Sequence, residues 1–339
     1  MYDKVSGMVS HIYEEGIPEN HILASRNYDL AIIAPGPAVN ELKHCFSSDN
    51  RPDQNVSMVY FGVTVNPNQI DVYEREKSCL KLIAVREDQS YDFIKKYLPR
   101  KDESILELSG DISFSYIDDD YEKPNLMKKF PEVYKAVKYA NKQDNDWVLI
   151  FTRFNNFGPG KSVNIVDNFI FLKEISGKIV KIDLKKVLIG SSDRNMDKEH
   201  FKTLKKNYNL DSRQFCTVDT VEEMFALRSS ASHVYTDRYH PGVASIILNT
   251  KLSVLSYPNE HVKMQGLHSM KSVPNSSIKE MNRKAFKSLE NVFRNLDNQD
   301  SHKLQSIHKD GSGQSAAPSK IIISHNFGDL SDIKNASIV

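Results

Sequence analysis

Short apolar runs rich in β-branched residues alternate along this chain with stretches whose apolar positions recur at helical spacing. In the first part the runs YDLAIIAP (28–35), SMVYFGV (57–63), KLIAVRE (81–87) and ILELSGD (105–111) predict strands. DQSYDFIKKYL (88–98) carries the helical period and predicts a crossover between two of them. A second series follows at DWVLIFTR (146–153), IVKIDLKKVLIG (179–190), QFCTV (214–218), HVYTD (233–237) and KLSVLSY (251–257), with helices expected over 200–205 and 221–230. Strands that alternate with helices in this way predict an α/β protein with parallel sheets.

The acidic, proline-bearing segment DDDYEKPN (118–125) separates the two series and predicts a connection between domains. The expected organisation is a first Rossmann-like domain over 1–125 and a second over 126–290. One more helix is read at SLENVFRNL, from Ser288. The remainder, 291–339, is polar and bears Gly, Ser and Pro, so it is expected to be a mostly disordered tail. No internal repeat is visible.

Composition narrows the function classes. A chain of 339 residues with 40% hydrophobic and 26% charged residues has the make-up of a soluble globular protein with room for two cores. Its net charge of +1 gives no global field toward nucleic acid or an anionic membrane, so any anion binding must come from a local cluster. Cys45, Cys79 and Cys216 are far apart and form no C-x-x-C pair, which argues against a disulfide framework or a zinc site and fits a reducing compartment. No run approaches the roughly 20 apolar residues of a membrane span, and the first residues lack the apolar core of a signal peptide. A cytoplasmic protein is expected, peripheral to the membrane at most.

Several stretches invite a chemical reading. GPGKS (158–162) suggests a phosphate loop, but Asn155 stands where the first Walker glycine belongs, and a flexible loop after a strand is the default. APGPA (34–38) follows a strand and is equally well a ligand-facing turn or merely a tight one. Asp118, Asp119 and Asp120 could attract a cation, yet such a run is more often a solvated loop. Arg86 and Arg153 each end a strand, the edge at which ligands bind in open parallel sheets, so the two could face one crevice between domains.

The most constrained stretch is VYTDRYHPGVASIILNTKLSVLSYPNEHVKMQGL, from Val234. Asp237, Arg238 and His240 lie within one turn after a strand. A helix expected to start at Gly242 would turn its amides toward the same lip, and Lys263 arrives after the next strand. Together they describe a local anion pocket; the plainer alternative is a structural histidine beside a paired Asp–Arg.

This stretch resembles the C-terminal signature of the polysaccharide pyruvyl transferase family, with Arg238, His240, Tyr257, Lys263 and Gly266 at the matching positions. YDLAIIAPGPAVNE resembles the family's glycine-rich strand and turn, and SMVYFGVTV its next strand. LKLIAVREDQSYDFI resembles its Arg-Asp-Ser element (Arg86, Asp88, Ser90), and LSGDISF its short Gly-Asp segment. These matches cover roughly residues 28 to 267. The chain departs from the family in lacking a GNxGD-like turn, which predicts a shortened first domain, and in carrying Pro241 after His240.

The resemblance implies two Rossmann-like domains in a GT-B-like fold with an active site between them. It implies transfer of a pyruvyl unit from phosphoenolpyruvate to a sugar of a surface glycan or its lipid-linked precursor, giving a ketal. Arg238, Lys263, Arg86 and Arg153, with the helix start at Gly242, would hold the donor's phosphate and carboxylate, and His240 would be the general acid. The scheme requires no metal or organic cofactor and no nucleic acid. A glycosyltransferase of the same architecture that uses a nucleotide sugar is the nearest alternative, since bacterial sialyltransferases also carry a His-Pro pair. A non-catalytic glycan-binding relative is the third reading.

Overall fold

The apolar runs around residues 60 and 83 are buried on both sides of a parallel sheet in the computed structural model, which describes residues 9–13, 30–34, 57–65, 80–98, 104–115, 129–191, 196–257, 261–308 and 321–325. The chain divides into two units, Met1–Ser115 with Ser276–Gly328, and Tyr116–Asn275 with Asp329–Val339.

The first unit holds strands β1 (Val9–Tyr13), β2 (Leu30–Ala34), β3 (Ser57–Val63) and β4 (Leu80–Val85), then helix α1 (Asp88–Tyr97) and strand β5 (Leu106–Leu108). Side chains on successive strand residues point to opposite faces, so one unbroken apolar run serves two layers. Tyr60, Ile83 and Val85 pack with Ile94 of α1 on one face, while Val59, Phe61, Leu82 and Ala84 belong to a second cluster on the other.

The second unit begins with α2 (Pro131–Gln143), whose Val133, Ala136, Val137 and Ala140 form one buried helical stripe. Proline at its first position costs no hydrogen bond there. The chain continues through β6 (Val148–Phe151), β7 (Val163–Val166), β8 (Phe169–Lys173), β9 (Ile179–Asp183) and β10 (Val187–Ser191). Next come α3 (Met196–Tyr208), β11 (Phe215–Thr217), α4 (Val221–Ser229), β12 (His233–Thr236), α5 (Tyr239–Ile247), β13 (Leu252–Val254) and α6 (His261–Met270). The main sheet is parallel in the order β11-β10-β6-β12-β13. Strands β7, β8 and β9 make a separate antiparallel sheet in sequence order.

The chain then returns to the first unit. Helix α7 (Asn275–His308) sets Ala285, Leu289 and Phe293 into the core with Leu30, Val59 and Phe61. Strand β14 (Ile321–His325) pairs in parallel with β1 on one side and β2 on the other, completing the order β1-β14-β2-β3-β4-β5.

Two Rossmann-like parallel sheets are therefore present, as the alternating pattern predicts, but the boundaries move. The first unit ends at Ser115 rather than residue 125, and the final helix begins at Asn275 rather than Ser288 and serves the first unit. It runs to His308, and Ile321–His325 is a strand, so the stretch from 291 carries two elements where a tail was expected. The polar composition there hides an apolar stripe whose partner surface lies more than 200 residues earlier in the chain.

The run 179–190 is two strands, not one. Leu184–Lys186 forms a 3₁₀ turn, capped by the Asp183 side chain accepting from the Lys185 amide, and the chain passes there from the three-stranded sheet to the main one. The turn at 35–38 and Asp118–Asp120 lie outside the described residues.

Candidate active site

Strands β6 and β12 pair in parallel with Phe151 opposite Thr236, so the residues following each strand emerge side by side. The Thr236 hydroxyl donates to the Phe151 carbonyl at 2.5 Å and accepts from the Arg238 amide at 3.0 Å. It thereby fixes both exits. Asp237 then turns inward, fully buried. Its carboxylate accepts from the Thr152 hydroxyl at 2.7 Å, the Arg153 amide at 3.0 Å and the Asn156 side-chain amide at 2.7 Å. Burial pushes this carboxyl above the usual range, opposed by these donors and by the Arg153 charge. Asp237 is a clamp for the 152–156 turn rather than a lip residue.

The clamp extends to the end of β13. Asn156 also donates to the Ser256 carbonyl at 3.2 Å, and the Ser162 hydroxyl reaches the same oxygen at 2.6 Å. Held this way, Arg153 lies over the ring of Tyr257, 4.5 Å from its centroid, and Asn155 donates to the Tyr257 hydroxyl at 3.2 Å.

Arg238 is the N-cap residue of α5, and the helix starts at Tyr239, ahead of the expected start at Gly242. His240 consequently sits in the first helical turn, half-buried. Pro241 lies where its missing N–H is not needed by the helix. Gly242 has a packing reason: a Cβ there would come within 2.2 Å of the Leu267 side chain, so only glycine admits the close approach of α6. Tyr239 is buried and central, with its ring 5.4 Å from the Lys263 ammonium and meeting the His240 ring edge-on at 5.7 Å. Arg153, Arg238, His240 and Lys263 are thus gathered at one sheet edge. The Asp237 carboxylate is bound into the same frame through the Arg153 amide.

Arg86 belongs to a different network, in the first unit. Its buried guanidinium donates to Thr64 at 2.7 Å and to Glu87 at 2.8 Å, and lies 3.7 Å from Asp111. Glu87 also accepts from Thr64 and from Ser90, the latter at 3.0 Å, and burial pushes its carboxyl up. Arg86 therefore ties the carboxyl ends of β3 and β4 together.

The GPGKS loop leads into a strand, not a helix, with Gly158 and Gly160 in the left-handed region, which settles it as a turn before β7. Among the described residues no group of His, Cys, Asp or Glu could hold a metal ion, and no helix is long and apolar enough to cross a membrane. The Cys216 thiol is pushed up to about 12 by burial, far from a nucleophile's range. Sequence reasoning missed the role of Tyr239 and the Thr152–Asn156 clamp. Only the pairing of β6 with β12 brings those residues to Asp237.

Two units, each built on a parallel sheet, with a cation-rich strand-end site in the second, make this an α/β protein of two Rossmann-like units. Residues 4–259 match the polysaccharide pyruvyl transferase family, and the chain belongs to that family. No curated protein matches it. Among solved structures it is similar to the UDP-GlcNAc 2-epimerase of Methanocaldococcus jannaschii in complex with UDP-GlcNAc and UDP, at 12% identity and a TM-score of 0.41, over 76% of this chain and 72% of that one. Similar matches are the UDP-N-acetylglucosamine 2-epimerase of Rickettsia bellii (10% identity, TM-score 0.41, 81% and 75% covered) and Anabaena HepE in complex with UDP-glucose (10% identity, TM-score 0.41, 80% and 81% covered).

Proposed function

We propose that the protein transfers a pyruvyl unit from phosphoenolpyruvate to two hydroxyls of a sugar in a surface glycan or its lipid-linked precursor. The observation that carries this reading is the convergence of Arg153, Arg238, His240 and Lys263 around the ends of β6 and β12. Phosphoenolpyruvate bears a phosphate and a carboxylate, and three cations beside a helix N-terminus are the complement such a donor requires.

The reaction needs one proton delivered and two removed. Protonation of the enol carbon C3 makes C2 electrophilic. One sugar hydroxyl adds to C2 and loses its proton, the C2–O bond to phosphate breaks, and the second hydroxyl closes the ketal. The products are the ketal and inorganic phosphate. His240 in the first turn of α5 is the proton donor in this scheme, because imidazole exchanges protons near neutral pH. Arg153 and Arg238 stabilise the leaving phosphate.

The deciding experiment is isothermal titration of the purified protein with phosphoenolpyruvate, and in parallel with UDP-sugars and CMP-sialic acid. Saturable binding of phosphoenolpyruvate, with phosphate release when a glycan acceptor is added, is the expected result. Binding of a nucleotide sugar alone would overturn the reading.

A further inference from the structure

The antiparallel sheet β7–β9 has two dissimilar faces. Val163, Ile165, Ile170 and Leu172 point inward and join the core of the second unit, with Val180 and Ile182 packed against it. The alternation of strand side chains puts Val166, Phe169, Phe171, Lys173, Ile179 and Lys181 on the outer face. Among the described residues, the large hydrophobics that stand exposed are Tyr134, Val166, Phe169, Ile179 and Val221, so three of the five share this one small face. Ile179 is the most exposed of them, at 65%.

The same face is basic. Lys173 pairs across from Ile179, and Lys181 from Phe171. The Lys181 ammonium lies 3.7 Å from the Phe169 centroid and 5.9 Å from that of Phe171. Lys178 is exposed beside Ile179. Asp183 stands on this face opposite Phe169 and caps the Leu184–Lys186 turn, and Asp167 stands at the hairpin tip, so the three lysines outnumber the acids.

We propose that this face docks on an anionic lipid membrane. Apolar side chains interleaved with lysines on one surface are what the boundary between headgroups and acyl chains accommodates: the aliphatic and aromatic parts enter while the ammonium groups meet lipid phosphates. Two other occupants fit the chemistry less well. A sugar stacks on a bare aromatic face, whereas the Phe169 ring already carries an ammonium. A second copy packed through the same face would set three lysines against three lysines.

The sheet is also fixed to the site. The Ser256 amide donates to the Lys173 carbonyl at 3.1 Å, and the Ile175 amide to the Val254 carbonyl at 2.9 Å. Ser253 donates to Glu174 at 2.9 Å. These bonds root the sheet at the end of β13, directly before Tyr257. Docking through it would hold the strand-end site at a set height above the bilayer, within reach of a lipid-linked acceptor. That last step alone rests on the proposed function.

The test is co-sedimentation of the full chain with vesicles of phosphatidylcholine, and of phosphatidylcholine mixed with phosphatidylserine. Binding to the mixed vesicles that falls as salt is raised is expected, because each lysine near an anionic surface strengthens binding roughly fivefold. The double variant Lys173→Glu with Lys181→Glu should bind at least about 20-fold more weakly, and Ile179→Asn several-fold more weakly, with unchanged melting temperatures. Equal sedimentation with both vesicle types, or variants that bind as the parent does, would overturn the proposal. So would light scattering that shows a dimer lost on Ile179→Asn, or dextran binding abolished by the same changes without vesicle binding. Phosphoenolpyruvate binding, measured without vesicles, reports separately on the enzymatic reading.

Discussion

The guanidinium of Arg153 rests on the ring of Tyr257, 4.5 Å from its centroid, with its backbone amide held by Asp237. The aromatic face packs against the cation and helps to set its plane. Tyr257→Leu should therefore weaken phosphoenolpyruvate binding by about 1 kcal/mol, the size of a partly exposed cation–π contact. Arg153→Ala should cost more, about 1.5–3 kcal/mol, as loss of a charge-assisted hydrogen bond does. Calorimetric titration of the two variants is the check, and donor affinity unchanged in both would remove this pair from the site.

His240 separates chemistry from binding. As general acid it acts in the transition state, so His240→Gln should lower turnover by roughly 100- to 10,000-fold while leaving donor affinity within a few-fold. Arg238→Ala and Lys263→Ala should show the reverse emphasis, with donor binding weakened by about 1.5–3 kcal/mol. Near-normal turnover of the His240 variant at saturating donor would exclude the acid role.

Asp237 is a matter of stability. Replacing it by Ala strands three donors that now converge on its carboxylate, Thr152, the Arg153 amide and Asn156. Each buried unsatisfied group costs about 1–3 kcal/mol, so Asp237→Ala should destabilise the protein by about 3 kcal/mol or more. Urea denaturation measures it; a loss under 1 kcal/mol would contradict the clamp.

Much of this arrangement was legible in the sequence, and what was not has a common cause. The parallel strands at 57–63 and 148–151 announce themselves because runs buried on both faces leave no polar alternation. Arg153 and Arg238 could be placed because each comes two residues after the end of a strand. The hairpin at 163–173 was invisible by comparison: its turn is Asp167-Asn168, without the glycine that marks a tight hairpin, although Asp167 does adopt a left-handed conformation. The helix start was misplaced because Pro241 reads as a break, when in a first turn it is permitted. Asp237 reads as a lip residue of the pocket in sequence because the partners that turn it inward lie about 80 residues away.

Arg228 offers a prediction of opposite sign. It is fully buried, over the Phe151 ring at 4.6 Å, with one bond to Ser245 at 3.3 Å. Its Nε and Nη2 have no hydrogen-bond partner among the described residues, and burial holds its pKa well below the usual value. Replacing an uncompensated buried charge by an apolar side chain of similar length relieves a desolvation penalty, so Arg228→Met should stabilise the protein by about 1–3 kcal/mol. A lower melting temperature would show that the guanidinium has a counter-charge in the folded protein.

His233 gives a dependence on pH. Burial and the charge of Lys251 lower its pKa to about 4, and its ring bonds Ser253 at 3.0 Å and stacks on Tyr235. The unfolded chain takes up a proton near pH 6.5, whereas the folded protein does so only near 4. Stability is therefore present in full above pH 6.5 and is lost as pH falls toward 4. Allowing for the ring's partial access to solvent, the loss should be about 1–2 kcal/mol. His233→Gln should flatten that part of a stability–pH curve measured by denaturant titration, and an unaltered slope would assign it to other groups.

The return of α7 to the first unit has a consequence in time. A ribosome releases the first four strands of that unit early, yet Ala285, Leu289 and Phe293, which cover one face of their sheet, emerge only after the Tyr116–Asn275 part of the second unit has been made. Throughout that interval Leu30, Val59, Phe61 and Leu82 present an uncovered apolar surface, the kind of surface that recruits chaperones and invites aggregation. The second unit, continuous from Tyr116 to Asn275 across its described strands, is under no such delay. During synthesis the later-encoded unit is therefore the first that can close its core, the reverse of the order in which the two are translated.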